Sequence, residues 1–267
     1  MPDRLRAFNQ ADEERRTSRC ARMDGTRVEV RSSPVGSTVS TPADRRRDAL
    51  LIGLTFAAGV VDAVSYLGLG QIFTANMTGN VVFLALAIGE RSPSTALHSG
   101  AALIIFSLGA ILAGLLLTHP RPAGPWPRRV TWLLGGELAC MAVFALLWGW
   151  LGGAPAVNWI YLLIGLSSFG MGLQNAAARH VGVPGLTSTV VTGALTGFMI
   201  DLPALGVSGT SQHRAGWAVL SLFTGAALGA TLMVYARALA PVLTAAVVTV
   251  VAAVAYLSFH RPVRTRE

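Results

Sequence analysis

Long apolar runs separated by short polar links dominate the chain from residue 49 onward. Eight such blocks can be read, at 49–70, 72–89, 98–118, 131–151, 156–176, 186–206, 215–236 and 239–259. About 20 residues at about 1.5 Å each are needed for a helix to cross the hydrocarbon core, and six of the blocks are apolar over that length. The second and sixth blocks are the exceptions, because each opens with a polar half rich in hydroxyl groups and glycine.

The polar half of the second block is the most unusual stretch. Its sequence QIFTANMTGN, at 71–80, places two amides and two threonines directly before the apolar run VVFLALAI. Moving an unpaired amide from water into hydrocarbon costs roughly 4–8 kcal/mol. An apolar residue at a helix centre returns only about 0.3–0.6 kcal/mol. We therefore predict an all-α polytopic membrane protein with six spanning helices, in which blocks two and six are re-entrant or broken segments packed against other helices.

Composition agrees with a membrane domain that follows a polar tail. The chain is 52% hydrophobic and 13% charged, with a mean hydropathy of +0.55. Residues 1–48 hold eleven of the 21 basic residues and eight of the 13 acids and lack apolar periodicity. We predict a disordered, Arg-rich cytoplasmic tail at 1–48 and a membrane domain at 49–259. Its halves lie at about 49–151 and 156–259, and a short basic tail follows at 260–267.

The basic charge and the cysteines exclude several classes of function. The formal net charge is +8, but the arginines of the tail are interleaved with acids and have no aromatic partners, so we expect no nucleic-acid binding. Cys20 lies in the tail and Cys140 in an apolar run, which leaves no credible disulfide or metal pair. The absence of a nucleotide motif or metal cluster predicts no cofactor. A homo-oligomer is compatible with the sequence.

Arginine positions test the membrane topology. If all eight blocks crossed, the loop 119–130 would lie opposite the tail, against the tendency of cytoplasmic loops to be basic. If blocks two and six only re-enter, that loop, Arg179 and Arg214 share the cytoplasmic side with the tail, and only Arg91 and Arg237 lie outside. Each half then contains three crossings and one re-entrant segment. An odd number of crossings predicts two halves of inverted orientation.

A weak internal repeat supports this division. Gly59 and Asp62 correspond to Gly172 and Asn175 at a separation of 113 residues. The further pairs are Phe73-Thr74 with Leu186-Thr187 and Thr78-Gly79 with Thr192-Gly193, the last at a separation of 114. Each pair occupies the same place in a matching hydropathy pattern. Such internal duplication is typical of secondary transporters.

Four sequence runs carry a family resemblance. They are GVVDAVSYL at 59–67, FTANMTGNVVFLALAIG at 73–89, GLQNAAARH at 172–180 and TSTVVTG at 187–193. Together they resemble the YoaK-like family of bacterial multi-pass membrane proteins, over roughly residues 49–259. The domain of that family has no known function. The resemblance therefore implies an integral protein of the bacterial cell envelope and provides no substrate or catalytic residue.

Asp62 lies near the middle of the first apolar block. A carboxylate there costs about 2.5–3.5 kcal/mol on the insertion scale, so its presence calls for a reason. The functional interpretation is a proton- or cation-coupling group or a contact to substrate, and proton coupling is preferred because burial disfavours the charged form of a carboxyl and the matching Asn175 cannot change charge. The alternative is a packing carboxyl that bonds to Tyr66 or a neighbouring hydroxyl.

The amides and threonines of the two polar segments are candidate solute ligands. In the first half these are Thr74, Asn76, Thr78 and Asn80, and in the second half Gln174, Asn175, Thr187 and Thr192. A half-helix with free backbone groups and polar side chains can line a solute site, as in discontinuous transporter helices. The alternative is polar contact between helices, worth about 0.6 kcal/mol per bond.

Other ionisable residues support weaker hypotheses. Glu137 follows Arg128 and Arg129 at the start of block four, and we interpret it as part of a solvated interfacial ion pair.

An intramembrane serine protease needs a histidine base beside its nucleophile. All five histidines lie at or beyond block ends, and an aspartyl pair of Asp62 and Asp201 has no supporting sequence context. We therefore expect no enzymatic activity.

The preferred function is secondary transport of a small uncharged or weakly charged solute, with proton coupling as an option. A channel-like permease is the runner-up, and a structural or signalling membrane protein without transport is third. The partners expected are the lipid bilayer and an unidentified small-molecule solute. The predicted location is the bacterial cytoplasmic (inner) membrane.

Overall fold

The computed structural model describes residues 41–118, 124–183 and 210–260, and four single positions between the last two ranges. All regular structure in these residues is helical. The helices are α1 (Pro42–Gly68), α2 (Met77–Gly89), α3 (Pro93–Leu117), α4 (Arg128–Trp150), α5 (Val157–Val181), α6 (Thr210–Tyr235) and α7 (Leu239–Phe259). Of the predicted tail at 1–48, residues 1–40 lie outside the described residues.

A complete cap begins the first helix. The backbone N–H of Asp44 donates to the Thr41 hydroxyl oxygen over 3.1 Å, and the backbone N–H of Thr41 donates to the Asp44 carboxylate over 3.2 Å. Pro42 occupies the first turn, where a missing N–H costs nothing. The helix α1 therefore starts at Pro42, ahead of the apolar block at residue 49, and its polar first two turns carry three arginines.

Helices α1 and α6 run parallel. Their contacts, in order along α1, are Asp48 with Arg214 (2.7 Å), Ile52 with Ser221 (2.8 Å) and Phe56 with Gly225. In these contacts the residue numbers increase in the same direction along both helices, so the two helices are parallel. By the same criterion α3 and α5 are parallel, because Ile105 contacts Gly165 and Gly109 contacts Phe169.

Equivalent glycines allow both of these close crossings. A Cβ added at Gly59 in α1 would overlap the backbone carbonyl of Leu222, and one added at Gly225 would overlap that of Phe56. In the other pair, Gly172 meets the carbonyl of Phe106 and Gly109 meets that of Phe169. Backbones approach this closely only where no side chain intervenes.

The helix α2 does not cross the bundle. Gly70, just after α1, lies against the His98 ring in the second turn of α3, with 2.6 Å between a built Cβ and Nδ1. The end of α1 and the start of α3 are therefore at the same end of the molecule. At about 1.5 Å per residue, the 13 residues of α2 span about 20 Å, less than a membrane core. The prediction that block two re-enters agrees with this geometry.

The arginines sort to the two ends of the bundle. One end joins the starts of α1, α4 and α6 to the ends of α3, α5 and α7, as in the 2.9 Å bond from Arg129 to the Leu116 carbonyl. We call it the arginine-rich end; its described arginines are Arg45, Arg46, Arg47, Arg128, Arg129, Arg179 and Arg214. At the opposite end, the Trp148 indole donates to the Arg237 carbonyl over 2.9 Å. Arg91 is also at that end, between α2 and α3.

Apolar side chains cover the lateral surface. Leu115, Leu146, Val234 and Val250 are all more than 60% exposed, although they lie within long apolar helices. By length and composition, α1, α3, α4, α6 and α7 are able to cross a membrane. The remaining long helix, α5, has 25 residues but carries polar side chains in its second half. The protein is a polytopic helical membrane protein.

Candidate functional site

Asp62 binds the chain segment that leads into α2. Its Oδ1 accepts hydrogen bonds from the backbone N–H groups of Thr74 (3.2 Å), Ala75 (2.8 Å) and Asn76 (3.2 Å). The N-cap residue of α2, Asn76, makes no capping bond with its own side chain. The carboxylate from the neighbouring helix therefore holds the residues that lead into α2 and satisfies the N–H of its N-cap residue, at an end where negative charge is also favoured by the helix dipole. This partner differs from the alternatives predicted, Tyr66 or a hydroxyl.

Asn80 secures the same segment from the other side. The Phe73 backbone N–H donates to Asn80 Oδ1 over 2.9 Å, and Asn80 Nδ2 donates back to the Phe73 carbonyl. The side-chain amide thus pairs with the backbone much as a neighbouring strand would. Asn80 is fully buried, so its polar groups are satisfied inside the protein.

Aromatic packing explains the glycine of the motif. The Phe73 ring forms a cluster with those of Tyr66 and Phe83, with 5.5 Å between its centroid and each of theirs and 6.3 Å between the other two. A Cβ added at Gly79 would lie 2.6 Å from Phe73 Cδ2. Glycine is therefore needed at this position so that the first turn of α2 can contact the ring.

Thr74 connects this segment to the second half of the chain. Its hydroxyl lies 2.7 Å from the Ser167 hydroxyl of α5, and Thr74 is fully buried. Because Thr74 also donates its backbone N–H to Asp62, one residue links α1 to α5. The segment 73–76 therefore joins the two halves of the membrane domain.

A small internal cavity adjoins this link. Its walls come from α1, α4, α5 and α7, and its lining residues are Val61, Val64, Met141, Phe144, Ser167, Pro241 and Thr244. The volume of about 10 Å³ has room for roughly one water molecule. The Thr244 hydroxyl is buried with no hydrogen-bond partner among the described residues. The polar groups that line the cavity, Ser167 and Thr244, thus come from the second half, and Ser167 in turn contacts Thr74 of the first half.

The other predicted site residues are not all in one place. Asn76 and Thr78 are exposed at the start of α2. Gln174 is fully buried in α5 and donates to the Leu54 carbonyl over 3.2 Å, while its own carbonyl oxygen has no partner among the residues that the structure describes. Asn175 donates to the Met171 carbonyl of its own helix over 3.1 Å. Thr187 and Thr192 lie outside the described residues.

The interpretation of Glu137 as a solvated interfacial residue is wrong. Glu137 is 0% exposed, and neither carboxyl oxygen has a partner among the described residues. Its Cγ faces α5, 3.7 Å from the position of a Cβ at Gly170. Arg129 cannot reach it, since eight residues of helix separate them by about 12 Å and the arginine binds Leu116 instead. The sequence did contain a sign of this burial, because Glu137 is an acid inside an apolar run, the feature by which Asp62 was identified.

Comparisons with known proteins agree with this architecture. The model of the family described as "Protein of unknown function (DUF1275)" matches residues 50–255. The chain is 42% identical to the UPF0700 transmembrane protein YoaK of Bacillus subtilis (strain 168) over 156 residues, which cover 58% of this chain and 67% of that protein. No solved structure matches. The chain therefore belongs to the YoaK-like family of transmembrane proteins, DUF1275, whose function is unknown.

Proposed function

We propose that this protein is a secondary transporter of a small uncharged or weakly charged solute in the bacterial cytoplasmic membrane. The observation that carries the proposal is the attachment of segment 73–76 to Asp62, beside the central cavity. This segment is a break between helices in which Thr74 and Ala75 are buried in the bundle and Asn76 is exposed. Discontinuous helices that meet near the bilayer midplane are the usual site of solute binding in secondary transporters.

The paired glycine crossings support an inverted internal repeat. Gly59 corresponds to Gly172 at 113 residues, and Gly109 to Gly225 at 116, so α1 packed on α6 is matched by α5 packed on α3. The bond from Gln174 to Leu54 and the link from Thr74 to Ser167 are consistent with antiparallel α1 and α5. Two inverted halves can rock against each other about a fixed site, which is the geometry of alternating access.

The size of the central cavity favours a transporter over the runner-up, a channel-like permease. A channel needs a continuous path as wide as its solute. The cavity between the halves instead has room for about one water molecule. Entry of a solute would therefore require the helices around it to move, as alternating access demands.

Asp62 is the proposed proton-coupling group. As a carboxylate it accepts three backbone N–H bonds, and protonation would remove the charge that these donors stabilise. The segment leading into α2 would then be held less tightly. A bias of a few kcal/mol is enough to shift a two-state equilibrium between outward-facing and inward-facing forms.

The proposed solute ligands are the exposed Asn76 and Thr78, with Gln174 and Asn175 from α5. Thr74 and Asn80 already bond within the protein, so in this proposal they position the segment that presents Asn76. Thr187 and Thr192 join the set through the repeat alone. Gln174 is a suitable member, because its carbonyl oxygen is a buried acceptor without a partner among the described residues.

The test is transport by purified protein in liposomes. Neutral amino acids, sugars, polyols and weak acids are assayed with and without a pH gradient, using protein-free liposomes as the blank. We expect accumulation of at least one class, driven by the gradient. Asp62→Asn should still exchange that solute passively but fail to concentrate it, whereas Asp48→Asn, in a pair at the arginine-rich end, should behave as the parent.

Two results would contradict the proposal. Flux that runs through the parent protein without saturation, and at the same rate with and without a gradient, would favour a channel. Accumulation by Asp62→Asn at the level of the parent would remove Asp62 from coupling while leaving transport intact.

A further inference from the structure

A second cavity lies between the start of α4 and the end of α7, away from the candidate solute site. Its volume is about 470 Å³, within the range of roughly 300–1,000 Å³ usual for small-molecule sites. The lining residues are Arg128, Thr131, Trp132, Gly135, Tyr256 and His260. The space above Gly135 is open, because a Cβ built there meets nothing within 4 Å.

Arg128 supplies the charge of this cavity. It makes no ion pair with any residue in the described part of the chain, unlike Arg47 and Arg214, which pair with acids. His260 does not add a second charge, since burial and then the neighbouring Arg128 hold the pKa of its imidazole below the ordinary value. Among the described residues that line it, the cavity therefore presents one uncompensated guanidinium and no acid.

The wall behind Arg128 is held by a chain of polar contacts. The Trp126 indole donates to the Thr131 hydroxyl oxygen over 3.0 Å, and that oxygen lies 3.0 Å from His260 Nε2. The Trp126 ring also stacks on Phe259, with 6.0 Å between centroids. These contacts tie α4 to α7, so the cavity is a built feature of the helix pair.

The position of the cavity matches the headgroup layer of a bilayer. It lies at the arginine-rich end, and two of its aromatic residues point outward, Trp132 at 80% exposed and Tyr256 at 56%. Tryptophan and tyrosine with these exposures are typical of the membrane–water interface. The cavity thus opens where lipid headgroups would lie, and apolar helix surface extends below it.

We propose that this cavity binds the phosphate headgroup of an anionic phospholipid. The planar guanidinium of Arg128 pairs with the phosphate oxygens, and the Tyr256 hydroxyl is a second donor. The space over Gly135 admits the glycerol and the start of an acyl chain. Basic pockets between membrane helices on the cytoplasmic side are suited to anionic headgroups, because an unpaired cation attracts a lipid of net negative charge over a zwitterionic one.

The test compares lipids on the purified full-length protein. Native mass spectrometry from detergent, with equal amounts of phosphatidylglycerol and phosphatidylcholine, counts the lipids retained. We expect retention of phosphatidylglycerol and about tenfold weaker retention in Arg128→Gln, the factor that corresponds to about 1.4 kcal/mol. Arg129→Gln is the matched control. It removes the same charge from the neighbouring residue, whose side chain binds the Leu116 carbonyl and does not line the cavity.

A second variant tests the cavity without changing any charge. Gly135→Leu places a side chain in open space, so it should fold and should also lose the lipid. Equal loss in Arg128→Gln and Arg129→Gln would mean a general charge effect and would overturn the proposal. Full retention by Gly135→Leu, or displacement of the lipid by millimolar inorganic phosphate, would overturn it as well.

Discussion

The Asp62 carboxylate in α1 accepts a 2.8 Å hydrogen bond from the backbone N–H of Ala75, thirteen residues further along the chain. Ala75 is buried and lies just before the first turn of α2. Its N–H has no helical partner there, so the acid of one helix completes the start of another. The polar motif and the intramembrane acid, separate features in the sequence, are therefore parts of one structure.

Replacement of Asp62 should separate the role of its charge from that of its oxygen. Asp62→Asn keeps an acceptor and should lower the free energy of unfolding only slightly. Asp62→Leu leaves up to three donors unpaired, at about 1–3 kcal/mol for each buried one. Thermal unfolding in detergent measures the difference. Equal melting temperatures for the two variants would mean that the three bonds contribute little to stability.

Asn80 and Asn76 should respond differently to substitution by alanine. Asn80→Ala removes both bonds to the Phe73 backbone inside the protein and should reduce folded yield. Asn76→Ala changes an exposed side chain whose backbone N–H still reaches Asp62, so it should fold as the parent and lose solute binding. Size-exclusion yield and the transport assay measure the two effects. A fall in yield for Asn76→Ala would assign that side chain to packing.

Replacing Glu137 by an apolar residue should raise the free energy of unfolding. Its carboxyl is buried and has no hydrogen-bond partner among the described residues, so Glu137→Met loses no bond. Burying a polar group without a hydrogen-bond partner costs about 1–3 kcal/mol in protein mutational data, so removing this carboxyl should stabilise the fold by up to about that amount. We expect a higher melting temperature in thermal unfolding. A lower melting temperature would show that Glu137 has a stabilising partner.

Two glycines of α3 provide a matched pair. A Cβ at Gly109 would overlap the Phe169 carbonyl, whereas one at Gly114 meets nothing within 4 Å. Gly109→Ala should therefore separate α3 from α5 and cost about 1–3 kcal/mol. Gly114→Ala should be neutral or stabilise by up to about 1 kcal/mol. Thermal unfolding of both variants checks this, and equal effects would contradict the close crossing.

Cysteine labelling tests which end of the bundle faces the cytoplasm. In a cysteine-free background, single cysteines at positions 91 and 237 should react with an impermeant maleimide added to whole cells or spheroplasts. Cysteines at 129 and 214 should react only after lysis, because the arginine-rich end is expected inside. External labelling at 129 would contradict the predicted orientation.

The sequence by itself determined the features that depend on local composition. Apolar length identified the long helices, and the arginines separated the two ends, because hydrophobicity and charge act on each segment whatever its neighbours are. The polar motif at 71–80 could also be recognised, since unpaired amides are too costly to face lipid. The shortness of α2 follows from the same composition.

Only the tertiary structure decided which groups meet. Asp62 reaches the N–H groups of residues 74–76 across a turn, and Asn80 returns to Phe73, because the folded chain brings those donors within hydrogen-bond distance. Glu137 shows the limit most clearly, since its position in the sequence is compatible with either an interface or a core. Its burial depends on the face that α4 turns toward Gly170, and helix rotation is set by packing between segments distant in the chain.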